Sequence, residues 1–162
     1  MIKSSRLNYL KVKETSIHKF DEARFTYNVM KYITGHALTT EEAIDRYLRY
    51  TDDPIFGNYF VLDNTTNKTI GLIKFVEDSP GVIEIGYSLF EEHWGKGYAT
   101  EMAEAMVAYA LQALKPQKLI GFVDSRNPAS MRVLEKVGLI KESQELERNG
   151  NIVYLFVRVV GE

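Results

Sequence analysis

The densest group of chemistry-bearing residues lies at positions 93–100, His-Trp-Gly-Lys-Gly-Tyr-Ala-Thr. This segment follows a stretch that alternates like a strand and opens one with helical spacing. A helix N-terminus carries unsatisfied N–H groups and a partial positive charge, so it attracts phosphates. Gly95 and Gly97 bring no side chain that would shield those N–H groups from a pyrophosphate, and Lys96 adds a charge. Two better-known phosphate patterns fit less well. The G-x-G-x-x-G pattern needs glycine where Thr100 stands, and a P-loop needs Ser or Thr after the lysine and an earlier glycine. On the residues alone, a plain tight turn before a helix explains the two glycines equally well.

Just upstream, residues 82–90 read as a strand. Ile83, Ile85, Tyr87 and Leu89 share one face, and Glu84, Gly86 and Ser88 share the other. Glu84 is thus a carboxylate beside the glycine turn, placed to take a proton directly or through water. The competing reading is an exposed glutamate on a half-polar face. Asn127 followed by Pro128 reads as a helix N-cap with proline at the first helical position.

Composition removes several other chemistries. The chain has no cysteine, which excludes thiolate nucleophiles, disulfides and Cys-based zinc sites. His18, His36 and His93 are far apart and show no ligand spacing, so no metal is expected. Net charge is −2, with no basic run of the kind nucleic acid requires. That charge leans slightly toward cationic partners. No segment approaches the roughly 20 apolar residues of a membrane span, and the first residues lack a signal-peptide core. The expectation is a cytoplasmic protein with neither a nucleic-acid nor a membrane partner.

The elements that must position these residues follow from periodicity. The 162 residues suit one domain, expected over 1–162. Residues 6–12 alternate as a strand. Residues 16–50 read as two helices around a loop at Gly35; the clearer starts near Thr40, with Thr39 or Thr40 as N-cap. Residues 58–62, 69–77 and 82–90 form an antiparallel meander with polar or Pro-Gly turns. From 98 to 115 the apolar residues Ala103, Met106, Val107, Ala110, Leu111 and Leu114 step by three and four along one helix face, and Pro116 ends it. A strand at 118–123, a short helix at 128–137 closed by Gly138, and strands at 140–147 and 152–160 complete the chain. Asn149-Gly150 marks the last hairpin. The order is β-α-α-β-β-β-α-β-α-β-β, a mixed α/β (α+β) domain with a largely antiparallel sheet and helices on both faces. The strands flanking the long helix should run parallel. The apolar run after Ile152 suits either an exposed edge or a central strand, so a monomer and a homodimer are both compatible.

Residues 84–101, Glu-Ile-Gly-Tyr-Ser-Leu-Phe-Glu-Glu-His-Trp-Gly-Lys-Gly-Tyr-Ala-Thr-Glu, resemble the acetyl-CoA segment of the GNAT acetyltransferases. They are close to the subgroup containing the ribosomal-protein N-terminal acetyltransferases. In the pattern Gln/Arg-x-x-Gly-x-Gly/Ala, Gly97 and Ala99 fill the last two required places, and Trp94 stands where Gln or Arg is usual. Residues 127–139, Asn-Pro-Ala-Ser-Met-Arg-Val-Leu-Glu-Lys-Val-Gly-Leu, resemble the subgroup's Asn-x-x-Ser…Lys-x-Gly-Phe segment, with Leu139 in place of Phe. A weaker likeness extends over residues 29–43. The resemblance covers most of the chain and is specific for fold and cofactor, not for the acceptor.

The resemblance implies an N-acetyltransferase, an acyltransferase that moves acetyl from acetyl-CoA to an amine without a metal. Its cofactor segment is Trp94, Gly95, Lys96, Gly97, Tyr98, Ala99 and Thr100, with backbone N–H groups from Lys96 to Thr100 on the CoA pyrophosphate. Ser88 and Leu89 offer backbone groups to the acetyl end. Asn127 and Ser130 lie along the pantetheine arm. Glu84 is the first choice of base. Many relatives use a tyrosine acid at the position occupied here by Leu134, so Ser130 takes that role, or no strong acid is needed. The acceptor pocket should lie between residues 16–50 and the last hairpin. Candidates to line it are Tyr27, Tyr32, His36, Tyr47, Tyr50 and Tyr59. The pairs Asp52-Asp53 and Glu91-Glu92 could draw in a cationic amine, while His93 falls outside the site. The missing tyrosine keeps a second reading open, a degenerate domain that binds acyl-CoA as a sensor or scaffold. Acceptors compatible with the first reading are a protein N-terminus, a polyamine, an aminoglycoside and an amino acid.

Overall fold

A computed structural model describes residues 1–161. Seven strands form one sheet: β1 (Leu7–Lys11), β2 (Gly57–Asp63), β3 (Thr69–Ser79), β4 (Val82–Leu89), β5 (Lys118–Asp124), β6 (Ile140–Arg148) and β7 (Asn151–Val159). Their spatial order is β1-β2-β3-β4-β5-β7-β6. All neighbours are antiparallel except β4 and β5, which are parallel as the helical crossover between them requires.

Helices cover both faces. α3 (Tyr98–Tyr109) and α4 (Pro128–Lys136) lie on one. There Met102, Ala103, Met106 and Ala110 are wholly buried with Ile73, Phe75, Ile85 and Leu134. Losing one such large side chain costs about 2–5 kcal/mol. The other face is covered by a 3-10 segment (Glu14–Glu22), α1 (Tyr27–Met30) and α2 (Thr40–Tyr47), through Phe20, Phe25, Met30, Ala43 and Tyr47. Because β2 and β3 are buried on both faces, their sequences run apolar almost without alternation.

Thr39 is the α2 N-cap. Its hydroxyl accepts the Glu42 N–H at 3.1 Å and the Glu42 carboxylate accepts the Thr39 N–H at 3.0 Å. Residues 16–50 are less helical than the sequence predicts. The first predicted helix is a 3-10 segment plus the single turn α1, and Gly35 sits in the left-handed region at φ 82°. Each of these short pieces is held by one or two aromatic or Met anchors rather than by a continuous apolar stripe. The long helix ends in a π turn, with the Lys115 N–H on Ala110 O at 2.8 Å. Asn149 and Gly150 have φ 50° and 79°, as a tight two-residue hairpin needs. β7 is interior, between β5 and β6, while the charged, exposed β6 forms the edge. Among the described residues, no helix is long and apolar enough to cross a membrane.

Candidate active site

The sheet opens where the site lies. β4 and β5 pair only over Val82–Glu84 and Lys118–Ile120, and no pairing continues beyond them. The Phe90 N–H bonds Ile70 O at 2.9 Å. An antiparallel ladder alternates by two, so even-numbered β4 residues bond toward β3 and odd-numbered ones face the opening. Ser88 therefore turns its N–H to β3, and Leu89 and Tyr87 turn their backbone groups to the gap. The Leu89 carbonyl accepts the Trp94 indole N–H at 2.7 Å. Its N–H faces the opening beside that of Tyr87. That bond also gives Trp94 a function at its unusual position, since the indole ties the glycine turn back to β4.

In the turn, Gly95 and Gly97 have φ 78° and 79°, a conformation that L side chains rarely adopt. A Cβ at Gly95 would meet nothing within 4 Å, and one at Gly97 only the Arg6 guanidinium at 3.6 Å. Backbone conformation requires these glycines, and the space above them is open. No side chain caps the start of α3, so the N–H groups of Tyr98, Ala99 and Thr100 have no side-chain partner. This arrangement fits a pyrophosphate.

Arg6, which the sequence reading did not single out, holds the turn. Its Nε meets Glu101 Oε1 at 2.6 Å, its backbone N–H meets Oε2 at 3.0 Å, and its guanidinium donates to Lys96 O at 3.0 Å. The same guanidinium lies 4.3 Å from the centre of the Tyr98 ring. Burial pushes the Glu101 carboxyl up, but the bonds from Ser4 and Arg6 outweigh it and hold it below its usual range. The partners stand 95 positions apart, so no local pattern announces the clamp.

On the far side of the opening, Asn127 caps α4, its Oδ1 accepting the Ser130 N–H at 3.3 Å. Ser130 is met by Tyr87. The phenol donates to Ser130 O at 3.0 Å and lies 2.9 Å from Ser130 Oγ. A phenol has one proton, so with that proton on the carbonyl the Ser130 hydroxyl donates to Tyr87. Burial pushes the Tyr87 phenol up to about 12, which keeps it protonated. Leu134, at the position of the missing tyrosine acid, is a core residue packed over Gly121, where an added Cβ would come within 3.1 Å of it.

Glu84 lines the same cavity, but Lys74 reaches both its carboxylate oxygens at 3.0 Å. Asp124, a buried carboxylate there, is bound by Arg126 at 2.8 and 2.9 Å. That side-chain hydrogen bond pulls its carboxyl below the ordinary range, and it is not a free base.

The cavity measures about 640 Å³, within the range of small-molecule sites. Tyr32, Tyr47 and Tyr50 line it together with Glu84, Ser88 and Ser130, whereas Tyr27, His36 and Tyr59 do not. The Asp53 carboxylate caps the Ile55 and Phe56 N–H groups, and Glu91 accepts from Thr26 and Asn28, so neither faces the cavity. Tyr50 stands at φ 59°, with its loop pinned by Lys11, whose ammonium donates to Tyr50 O at 2.8 Å and Asp53 O at 2.7 Å. Among the described residues, no group of three His, Cys, Asp or Glu side chains is placed to hold a metal.

Comparison with known proteins agrees with this fold. Residues 12–140 match the family described as acetyltransferase (GNAT) domain. A probable N-acetyltransferase of Bacillus subtilis, YjcK, is 38% identical over 87 residues, 54% of this chain and 48% of that protein. The matches to YkkB and YjcK of Bacillus subtilis and to p20 of Bacillus licheniformis span only 40–60% of those proteins' length. An acetyltransferase (GNAT family) from Bacillus anthracis superposes with a TM-score of 0.82 at 24% identity, covering 98% of this chain and 97% of that one. A spermidine N-acetyltransferase from Vibrio cholerae, solved with CoA and spermine, superposes at 0.78 with 20% identity, covering 97% of each chain. The mixed α/β order and the seven-stranded, mostly antiparallel sheet with its helices are those of this fold, and the chain belongs to the GNAT acetyltransferase superfamily.

Proposed function

We propose that this protein moves an acetyl group from acetyl-CoA to a primary amine by direct transfer within a ternary complex. The observation that carries the reading is the opening between β4 and β5, with the uncapped α3 turn following β4 and a cavity lined by Ser88, Glu84 and Ser130. Acetyl-CoA supplies the activated thioester; the chain holds and polarises it. Backbone N–H groups from Lys96 to Thr100 hold the pyrophosphate, and Asn127 and Ser130 line the arm. The Leu89 N–H donates to the acetyl oxygen as negative charge develops there. The amine nitrogen bonds to the acetyl carbon and the C–S bond breaks. Glu84 takes the amine proton, directly or through water, once Lys74 loosens its hold. The Ser130 hydroxyl, positioned by Tyr87, turns its proton from the phenol to the leaving thiolate and regains one from water. The likeness of the two motifs supports the subgroup that contains the ribosomal-protein N-terminal acetyltransferases, with a small amine or a protein N-terminus as acceptor, acting in the cytoplasm as a monomer or homodimer.

A second reading, acyl-CoA binding without turnover, draws on Leu134 at the acid position and on the Lys74–Glu84 ion pair. Thiol release from acetyl-CoA over a broad amine panel separates the two. Turnover that falls at least tenfold in Glu84→Gln and in Ser130→Ala supports the enzyme. Tight acetyl-CoA binding with no thiol release from any amine supports the binding domain.

A further inference from the structure

The rim of the acceptor cavity has the opposite sign to the chain. Net charge overall is −2, yet Lys31, Arg46, Arg49, Lys74 and Arg148 all line this cavity, against the carboxylates Asp45, Glu84 and Asp124. Ion pairing sharpens the imbalance. Glu84 is neutralised by Lys74 and Asp124 by Arg126. That leaves Lys31, Arg46, Arg49 and Arg148 facing one unpaired carboxylate, Asp45. Among the described residues, none of these four cations has a carboxylate within 4.0 Å.

They are held by other means. The Lys31 ammonium lies 4.9 Å from the Tyr32 ring centre, and the Arg148 guanidinium 4.5 Å from that of Phe122. Arg46 lies 5.6 Å from the Tyr47 ring centre, and Arg49 Nε donates to Arg46 O at 3.1 Å. Position near the end of α2 accounts for Arg46 and Arg49, because cations favour a helix C-terminus. Lys31 caps the C-terminus of α1, but a single turn carries little dipole, and Arg148 stands at the β6–β7 turn away from any helix end. No residue from 94 to 100 lines this cavity, so the four cations are not part of the pyrophosphate turn.

Resting on the acetyltransferase reading, we propose that the acceptor is a small primary amine carrying an oxyanion, a carboxylate or phosphate, recognised by Arg46, Arg49, Lys31 and Arg148. Guanidinium groups match oxyanions in charge and in fork geometry, and cations converging on a concave site focus potential on an anionic ligand. The same field repels a polyamine.

The test uses four amines of matched length: 4-aminobutyrate, 3-aminopropyl phosphate, 4-aminobutanamide and 1,4-diaminobutane. Thiol release should give kcat/KM about tenfold higher for one of the two anionic amines than for the amide, with the diamine lowest. The preferred anion identifies the carboxylate or the phosphate. In R46Q/R49Q the anion-to-amide ratio should fall at least threefold. Preference for the amide or the diamine, or an unchanged ratio in the variant, overturns the proposal while leaving the acetyltransferase standing. Weakened acetyl-CoA binding in the variant also overturns it, since the cations would then serve the cofactor. If no amine turns over, calorimetry of the CoA-loaded protein decides with N-acetyl-4-aminobutyrate, N-acetyl-3-aminopropyl phosphate and N-acetyl-4-aminobutanamide. Tighter binding of either anion supports the proposal and equal binding of all three ends it. Failure of the acetyltransferase reading shows separately, as absence of acetyl-CoA binding or of thiol release from every amine of the broad panel.

Discussion

Replacing Tyr87 by phenylalanine removes one oxygen and tests how the leaving-group end of the site is held. The phenol touches Ser130 O at 3.0 Å and Ser130 Oγ at 2.9 Å from a largely buried position. Each bond contributes about 0.5–1.5 kcal/mol net, so the loss should be about 1–3 kcal/mol. For 162 residues that lowers Tm by roughly 2–12 °C. The Ser130 hydroxyl loses its orienting partner, and kcat should drop about tenfold while acetyl-CoA affinity stays within about twofold. Stopped-flow thiol release and calorimetry read the two quantities separately. Ser130→Ala should be slower still, and Tyr87→Phe added to it should cost nothing further, because residues acting as a unit are not additive. Full activity in Tyr87→Phe, or effects that multiply in the double variant, would refute the assignment.

Arg6→Gln removes the clamp on the glycine turn. The exposed ion pair itself contributes under about 1 kcal/mol, so stability should barely change while the Kd for acetyl-CoA rises about three- to tenfold by calorimetry. The carboxyl of Glu101 is held low, so its stabilisation is present above its ordinary range and lost as pH falls through the folded value; acid denaturation of Arg6→Gln should be less steep than that of wild type. Lys11→Met leaves Tyr50 O and Asp53 O without the ammonium, for a loss of about 1–3 kcal/mol, and the freed Tyr50 loop should raise KM for the amine without changing acetyl-CoA affinity. Tyr9, Tyr59 and Tyr87 are each pushed by burial up to about 12 from 10.0. The folded state therefore holds protons that the unfolded state has lost, and stability should fall as pH rises from about 10 toward 12, read by far-UV circular dichroism.

The meander, the Asn149-Gly150 hairpin, the long helix and the parallel pair were legible because each has a local signature: period two, a turn dipeptide, period 3.6, a helical crossover. The Trp94–Thr100 turn was legible for the same reason. Four features were not, because they join residues far apart in sequence. Arg6 meets Glu101, Tyr87 meets Ser130, and Lys74 meets Glu84 only once the sheet exists. The positive rim is assembled from separate segments, and a whole-chain charge of −2 points the other way. Residues 16–50 misled because packing on Phe20, Phe25 and Met30 overrides weak helical spacing. The ladder also reassigned a role, since alternation turns the Ser88 N–H to β3 and leaves that of Leu89 to the gap.

The most direct measurement is calorimetry of acetyl-CoA with wild type and Thr100→Glu. A glutamate at Gly97 would be strained at φ 79°, whereas one in the first turn of α3 complements the helix dipole and leaves the fold intact. Its charge near a pyrophosphate costs on the order of 1–3 kcal/mol. Tight binding by wild type, weakened about tenfold or more in a folded Thr100→Glu, is the expected result. Equal binding by the two proteins, or no binding by a folded wild type, would contradict a CoA site at this turn.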